Sequence, residues 1–327
     1  MKRGAGSGVI QRFLAFLDAY CLSGQAVGVA FSGGPDSTAL AICAIEARNA
    51  SRLAPTLVHV DHGVRADSAD DRAIVRETAR TLSADLRTVD LTNLSARSTE
   101  AEMREARYMA IYDALSPLGI EAVLTGHHAR DQAETVLLHL ARGQGLEGAT
   151  GMSPSETLRF GSVAITAVRP FLGEDPVALS DVVTEYGLHV VEDPTNLLVD
   201  RARNLVRHHV LPTLGEINPG VVHNISRSAE ILRAEDELLD ELATVSYRDA
   251  VQADGVDGTR LATEAIAIQR RLLRRWVEST CGLQLSFDRT EALRQLAISG
   301  SGNVVLELGE GCSAHQIRRR ITLHCND

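Results

Sequence analysis

The sequence predicts an α/β protein: a parallel-sheet, Rossmann-like domain followed by a smaller helical and α+β domain. Three observations carry that prediction. The short, continuous apolar run AVGVAF (26–31) reads as a strand buried on both faces, and LVHV (57–60) as a second buried strand. Up to about residue 141 they alternate with amphipathic helical segments, the order of βαβ units. After residue 212 the alternation stops. A chain of 327 residues holds about two domains, which we place at 1–214 and 215–327.

Each element has a local reason. Ile10, Phe13, Leu14 and Leu17 recur at helical spacing, so a helix over 9–21 opens the chain. The strand 26–31 leads through SGGPDS into a helix, TALAICAIEA. After the strand 57–60, Ser68 and Asp71 form a capping box for a helix that turns Ile74, Val75, Ala79 and Leu82 inward. LRTVDL (86–91) is a third strand. Thr99 and Glu102 cap the next helix, which has Met103, Ala106, Ala110 and Ile111 on one face. AVLTG (122–126) is a fourth strand, with a helix over 130–141 behind it. In the second half, 221–247 and 260–280 read as helices around the polar turn DAVQADGVDG. NVVLEL (303–308) and RRITLH (319–324) read as strands. No internal repeat interrupts this order.

Hydrophobic content of 44% excludes a disordered chain, a collagen-like repeat and a rod. No apolar run approaches the roughly 18–20 residues of a membrane span. Arg12 and Asp18 interrupt the first helix as no signal peptide would allow, so a cytoplasmic location without membrane association is expected. Cys21, Cys43, Cys281, Cys312 and Cys325 include no C-x-x-C pair. Five free, reduced thiols are therefore expected, and zinc or redox-disulfide readings are weak.

A net charge of −10 argues at first against a nucleic-acid partner. Its distribution argues otherwise. Residues 230–258 hold nine acids and two bases, whereas 259–275 hold five arginines and one acid. Arg270 with Arg274, and Arg271 with Arg275, are i,i+4 pairs and form one basic helix face. Arg201, Arg203 and Arg207 with His208 and His209 form another cluster, and Arg318, Arg319 and Arg320 a third. Each is a candidate for RNA phosphates, set against the competing reading of a solvated face. Aromatic content of 4% favours recognition by shape and backbone, with one base taken into a pocket.

Ser32-Gly33-Gly34-Pro35-Asp36-Ser37 lies between a buried strand and a helix. Glycines let successive N–H groups converge on an anion, and the helix start adds its positive dipole end. Ser32 and Ser37 can donate to phosphate oxygens. Asp36 would repel phosphate, so its role is to hold Mg²⁺. The competing reading is an ordinary βα turn. The segment is neither a Walker A loop nor G-x-G-x-x-G.

The loop is similar to the PP-loop of the N-type ATP pyrophosphatases, which split ATP into AMP and pyrophosphate. Four further blocks narrow the resemblance: His59–Arg65, Ala101–Tyr108, Gly126–Thr135 continuing to Arg142-Gly143 and Gly151-Met152, and Asp193–Asn196 continuing to Arg203-Asn204, Arg207 and Leu211-Pro212. In order and approximate spacing over 27–212 they resemble the tRNA(Ile)-lysidine synthetase family. The last hundred residues resemble, more faintly, that family's small C-terminal domain. The resemblance implies a PP-loop ATP pyrophosphatase fold and a ligase that uses ATP and Mg²⁺. Its substrates would be free L-lysine and the wobble cytidine of tRNA(Ile) with a CAU anticodon, and a homodimer is compatible with it. It implies catalytic roles for Asp36, Asp131, His127, His128, Arg104 and Arg107, with Asp36 and Asp131 on the metal. ATP contacts would come from Ser32, Gly33, Gly34, Pro35, Asp36, Ser37, Asp61 and His62. Substrate contacts would come from Tyr108, Gln132, Glu134, Thr135, Asn196, Arg203 and Arg207.

Two positions depart from the family pattern. Arg130 stands where it carries the first acid of an Asp pair, and LLVDR (197–201) replaces an acidic-then-aromatic stretch. A PP-loop tRNA thiolase would need C-x-x-C cysteines, which are absent. A small-molecule adenylating ligase would not need basic clusters in its second domain. A binding protein with a decayed site is supported by Arg130 alone. The length leaves room for one small appended domain and not for the further domain of longer family members.

Overall fold

A computed structural model describes residues 5–61, 68–91, 99–191, 201–253, 255–299 and 303–325. The chain forms two compact units, Met1–Glu230 and Ile231–Asp327.

The first unit is built on a six-stranded sheet in the order β3-β2-β1-β4-β6-β5. Its strands are β1 (Ala26–Ala30), β2 (Ala54–Asp61), β3 (Asp85–Asp90), β4 (Ala122–Leu124), β5 (Ser155–Phe160) and β6 (Val163–Val168). All pair in parallel except β5, which returns antiparallel to β6 as a hairpin. The helices are α1 (Ala5–Ala19), α2 (Pro35–Ser51), α3 (Ser68–Thr81), α4 (Glu100–Leu115), α5 (Ala129–Ala141), α6 (Gly145–Ala149) and α7 (Pro176–Glu185). Neighbouring strand residues alternate between two apolar clusters, as the strand period requires. Val29, Leu57, Leu124 and Val168 pack with Phe13, Leu40 and Leu179 on one face. Val58, Val123 and Ala167 pack with Ile111 and Leu115 on the other. The buried apolar runs therefore form parallel strands covered on both sides, as expected.

The hairpin β5–β6 and helix α7 were not among the expected elements. Helix α7 carries its own signal, since Asp175 caps the N–H of Val177 at 2.8 Å and Pro176 opens the helix. The expected Thr99–Glu102 capping box is present: Glu102 N–H donates to Thr99 Oγ1 at 3.2 Å, and Thr99 N–H to Glu102 at 2.7 Å. The side chain of Ser68 lies outside the described residues.

Beyond α7, a helical rod runs through α8 (Arg201–Leu205), a π-helical turn at 206–210 and α9 (Leu211–Ile217). Pro212 has no N–H to continue the α-helical ladder, which accounts for the wider turn before it. Helix α10 (Val221–Ala250) follows, and the division between the units falls inside it, at Glu230. Its first turns belong with the first unit. Val222 and Ile225 pack against Ala133, Val206 and Leu211, and Ser226 Oγ donates to the Leu172 carbonyl at 2.7 Å.

The second unit contains β7 (Val251–Gln252), β8 (Gly255–Asp257), α11 (Gly258–Leu261), α12 (Ile266–Cys281), α13 (Phe287–Ser299), β9 (Asn303–Gly309), β10 (Cys312–Ile317) and β11 (Arg320–Cys325). The strands form an antiparallel sheet in the order β7-β8-β11-β10-β9. Its core gathers Leu272, Leu273, Trp276 and Val277 of α12, Leu293 of α13, and Leu308, Ala314 and Ile321 of the sheet. Helix α13 and strand β10 are additions to the expected elements.

Two expectations are corrected here. The five cysteines are not all free thiols: Cys281 and Cys325 are joined as a disulfide with Cα atoms 6.4 Å apart, leaving Cys21, Cys43 and Cys312 as thiols. Separation along the chain hid this, because the sheet returns Cys325 to the end of α12. The arginines of α12 are not an open basic face either. Arg271 pairs with Asp236 and Asp240, Arg270 with Glu291 at 2.8 Å, and Arg275 donates to Thr244 Oγ1 at 2.6 Å. The acidic stretch supplies two of the partners that neutralise this helix.

Candidate active site

The expected phosphate loop lies at the carboxyl end of β1. Gly33 adopts φ +88°, and a Cβ there would meet Val191 and Val75 at 2.8 and 2.9 Å. Only glycine satisfies both the conformation and the space. The Gly33 carbonyl accepts from Val191 N–H at 2.8 Å, which fixes the bend. Helix α2 begins immediately after, with Gly34 at its N-cap and no side chain capping it. By contrast, side chains cap both α4 and α5. An uncapped helix start leaves amide donors open to an anion. Ser32 Oγ and Ser37 Oγ lie 3.0 Å apart beside it, and Pro35 holds the first helical position.

Strand β4 ends next to β1. From this pair the sheet extends in opposite directions, to β2 and to β6, which opens a crevice at the carboxyl edge. Gly126 approaches so closely that a Cβ would stand 3.1 Å from the Asp36 carbonyl carbon and oxygen. This contact brings the two sequence blocks together. His128 caps α5: its Nδ1 accepts from Arg130 N–H at 3.2 Å, and Asp131 accepts from His128 N–H at 3.1 Å. His128 Nε2 faces Asp36 Oδ2 at 3.6 Å, and Nδ1 faces Asp131 Oδ2 at 3.5 Å. The two expected metal-binding carboxylates thus stand on opposite sides of one imidazole. Burial pushes the His128 pKa down, but the hydrogen bond to Asp36 and the charges of Asp131 and Asp36 outweigh it, so the net shift is upward. His127 shifts the other way, to about 4, through desolvation and the charges of Arg169, Arg203 and Arg104 against that of Asp131. Its Nδ1 lies 2.9 Å from Thr125 Oγ1. At neutral pH His127 is an uncharged imidazole, and proton donation falls to other groups.

Behind Asp131, the buried Glu134 carboxylate accepts from Arg203 Nε at 2.9 Å and from Arg207 Nε at 2.6 Å. Arg207 also reaches Asp131 Oδ1 at 3.2 Å, and Arg203 reaches Thr135 Oγ1 at 3.3 Å. Both guanidiniums stay about 30% exposed while Glu134 is fully buried. The structure therefore joins Asp131, Glu134, Thr135, Arg203 and Arg207, expected at separate places in the sequence, into one network. Gln132 is not placed as a substrate contact. Buried, it donates to the Thr150 and Met152 carbonyls at 3.1 Å and accepts from Met152 N–H at 2.8 Å, holding the loop around Gly151.

Other expected residues lie apart. Asp61 ends β2, where its carboxylate is taken up by Arg72, which also pairs with Asp90. Tyr108 is only 5% exposed and stacks on Phe160, so its ring presents a face to Arg104 and not to a base. Arg107 is exposed on α4. Arg130, where the family pattern has an acid, is exposed too, and its backbone N–H serves the cap. His62 and Asn196 lie outside the described residues, as does most of 197–201. Sequence reasoning missed Arg169. Buried at the end of β6, it binds the Ser153 carbonyl at 2.6 Å and Glu156 at 2.8 Å, and its charge helps keep His127 neutral. Its position, one residue past an apolar strand, was the available signal.

Comparison with known proteins supplies the family. A PP-loop domain model matches residues 7–214, and a TilS substrate binding domain model matches 258–321. A tRNA(Ile)-lysidine synthase of Synechococcus sp. is 32% identical over 304 residues, covering 91% of this chain and 88% of that protein. One from Rhodococcus opacus is 37% identical, covering 90% and 87%. A longer one from Symbiobacterium thermophilum is 37% identical, and this chain spans 63% of its length. Among solved structures, the U34-tRNA thiolase NcsA from Methanococcus maripaludis aligns with a TM-score of 0.57 at 15% identity, over 69% of this chain and 79% of that one, a likeness of fold alone. With the PP-loop model covering most of the first unit and two relatives matched over nearly nine-tenths of their length, the chain belongs to the tRNA(Ile)-lysidine synthase family.

Proposed function

We propose that this chain ligates free L-lysine to C2 of the wobble cytidine of tRNA(Ile) with a CAU anticodon. The cytidine is first adenylated by ATP with release of pyrophosphate, and the lysine amine then displaces AMP. The observation that carries the reading is the meeting of the uncapped α2 start, Asp36 and the Arg203–Arg207 pair around His128.

The residues fit a magnesium nucleotide. Gly33 and Gly34 keep the loop free of Cβ atoms where phosphate oxygens must approach the amides, and the Ser32 and Ser37 hydroxyls flank that cradle. Asp36, 37% exposed, would hold Mg²⁺, which neutralises phosphate charge as pyrophosphate departs. Both oxygens of Asp131 already accept hydrogen bonds, from His128 and Arg207. Asp131 accordingly orients those two groups. Arg203 and Arg207, held from behind by Glu134 and each about 30% exposed, bring positive charge to the developing phosphate charge. His128, held at both ring nitrogens, fixes the separation of the two carboxylates.

Purified chain with ATP-Mg²⁺, labelled lysine and a CAU-anticodon tRNA transcript should release AMP and leave label on the RNA. AMP release with no label on the RNA would defeat the lysine assignment, and sulfur incorporation would mark a thiolase.

A further inference from the structure

Three sulfurs of the second unit meet at one place. Cys281 ends α12, Cys312 begins β10 and Cys325 ends β11. The hairpin register sets Cys312 directly opposite Cys325, with the two sulfurs 2.8 Å apart. All three lie within 4.8 Å of one another, and among the described residues they are the one His, Cys, Asp or Glu group to converge so closely. Cys312 is buried, Cys281 half-buried and Cys325 exposed, so the cluster is closed behind and open to solvent in front.

A disulfide needs two sulfurs, and this site brings a third against them. Soft thiolates are the preferred ligands of zinc, at about 2.3 Å, so three sulfurs on one ion stand about 3.8 Å apart. With the disulfide closed the sulfurs stand closer, Cys312 at 2.8 Å from Cys325, so reduction must let that pair part by about 1 Å to seat the ion. An ion at this point would tie the end of a helix to two strands in a small domain, where a metal adds most to a limited core.

We propose that Cys281, Cys312 and Cys325 form a thiolate site for one zinc ion, which takes the place of the Cys281–Cys325 disulfide in the reduced protein. A dithiol reductant passes two electrons and two protons to the S–S bond, becomes a disulfide itself, and leaves three thiols. Zinc then bonds to the three sulfurs, their three protons pass to solvent, and water completes the tetrahedron on the exposed side.

The test uses the full chain, reduced with a dithiol, freed of it by gel filtration under inert gas, and titrated with zinc alone. One zinc per chain and release of about three protons per zinc are expected, because zinc binds thiolates and displaces the thiol protons. Cobalt in place of zinc should give a sulfur-to-metal charge-transfer band in the unmodified chain. Cys312→Ser and Cys281→Ser should each weaken zinc binding at least tenfold, with Cys21→Ser as the unaffected control. Circular dichroism checks that the buried Cys312→Ser variant folds, and the cobalt band of the unmodified chain does not depend on any variant. A reduced chain that retains no zinc and shows no charge-transfer band would overturn the proposal. So would zinc binding that is unchanged in both the Cys312 and Cys281 variants.

Discussion

Asp36 and Glu134 are both acids of the candidate site, and burial separates their roles. Asp36 is partly open, with His128 as its near neighbour, so its carboxylate can still accept a metal ion. Asp36→Asn should slow AMP formation on the order of 10²–10³-fold, the scale of losing one charge-stabilising group; single-turnover AMP release measures it. Glu134 is closed to solvent and faces two guanidiniums, so its role is to aim them. Glu134→Gln keeps the shape and removes the charge. The expected cost is about 2–4 kcal/mol in denaturant unfolding, below the full penalty of a broken buried pair because the arginines can turn toward water. ATP binding should weaken in parallel, as a displaced Arg203 and Arg207 lose their aim. The sequence supplied these residue types and their order. It could not show that Gln132 and Tyr108 turn inward, because burial is set by the tertiary packing around Met152 and Phe160.

Helices that meet through one acid are sensitive to pH. Glu291 of α13 is held at about 2 by hydrogen bonds from Arg294 and from Arg270 of α12, against the opposing effect of burial. A carboxyl depressed from its ordinary 4.5 stabilises the fold fully above that value and loses the contribution as pH falls through about 2. Glu291→Gln should therefore lower the melting temperature of the second unit at pH 7 and converge with the unaltered protein near pH 2. Among elements, legibility followed how openly each strand showed its pattern. The run at β1 is apolar throughout and β2 is mostly buried, so both needed little context. Strand β10 turns Cys312, Ala314 and Gln316 inward. Small residues and a glutamine that donates to the Leu296 carbonyl at 2.8 Å conceal its alternation. Strand β5 is an edge strand with no fully buried side chain, so little burial marks it in the sequence.

For the whole molecule, acids behind the −10 net charge pair with arginines of the basic clusters, which changes what those clusters can do. Arg271 is committed to Asp236 and Asp240, so Arg271→Ala should cost about 2 kcal/mol of stability and leave the salt dependence of tRNA binding unchanged. Arg318 and Arg319 form the exposed turn between β10 and β11. Replacing both with Ala should reduce the slope of log affinity against log salt by about 1–2, readable by filter binding across a salt series. The long helix α10 has a practical consequence for anyone preparing the first unit as a fragment. A cut after residue 214 would strip Val222 and Ile225 from the apolar cluster they cover, and Ser226 from the Leu172 carbonyl. A fragment of residues 1–214 should therefore bind a hydrophobic dye and aggregate on concentration, whereas one of residues 1–230 should stay monodisperse.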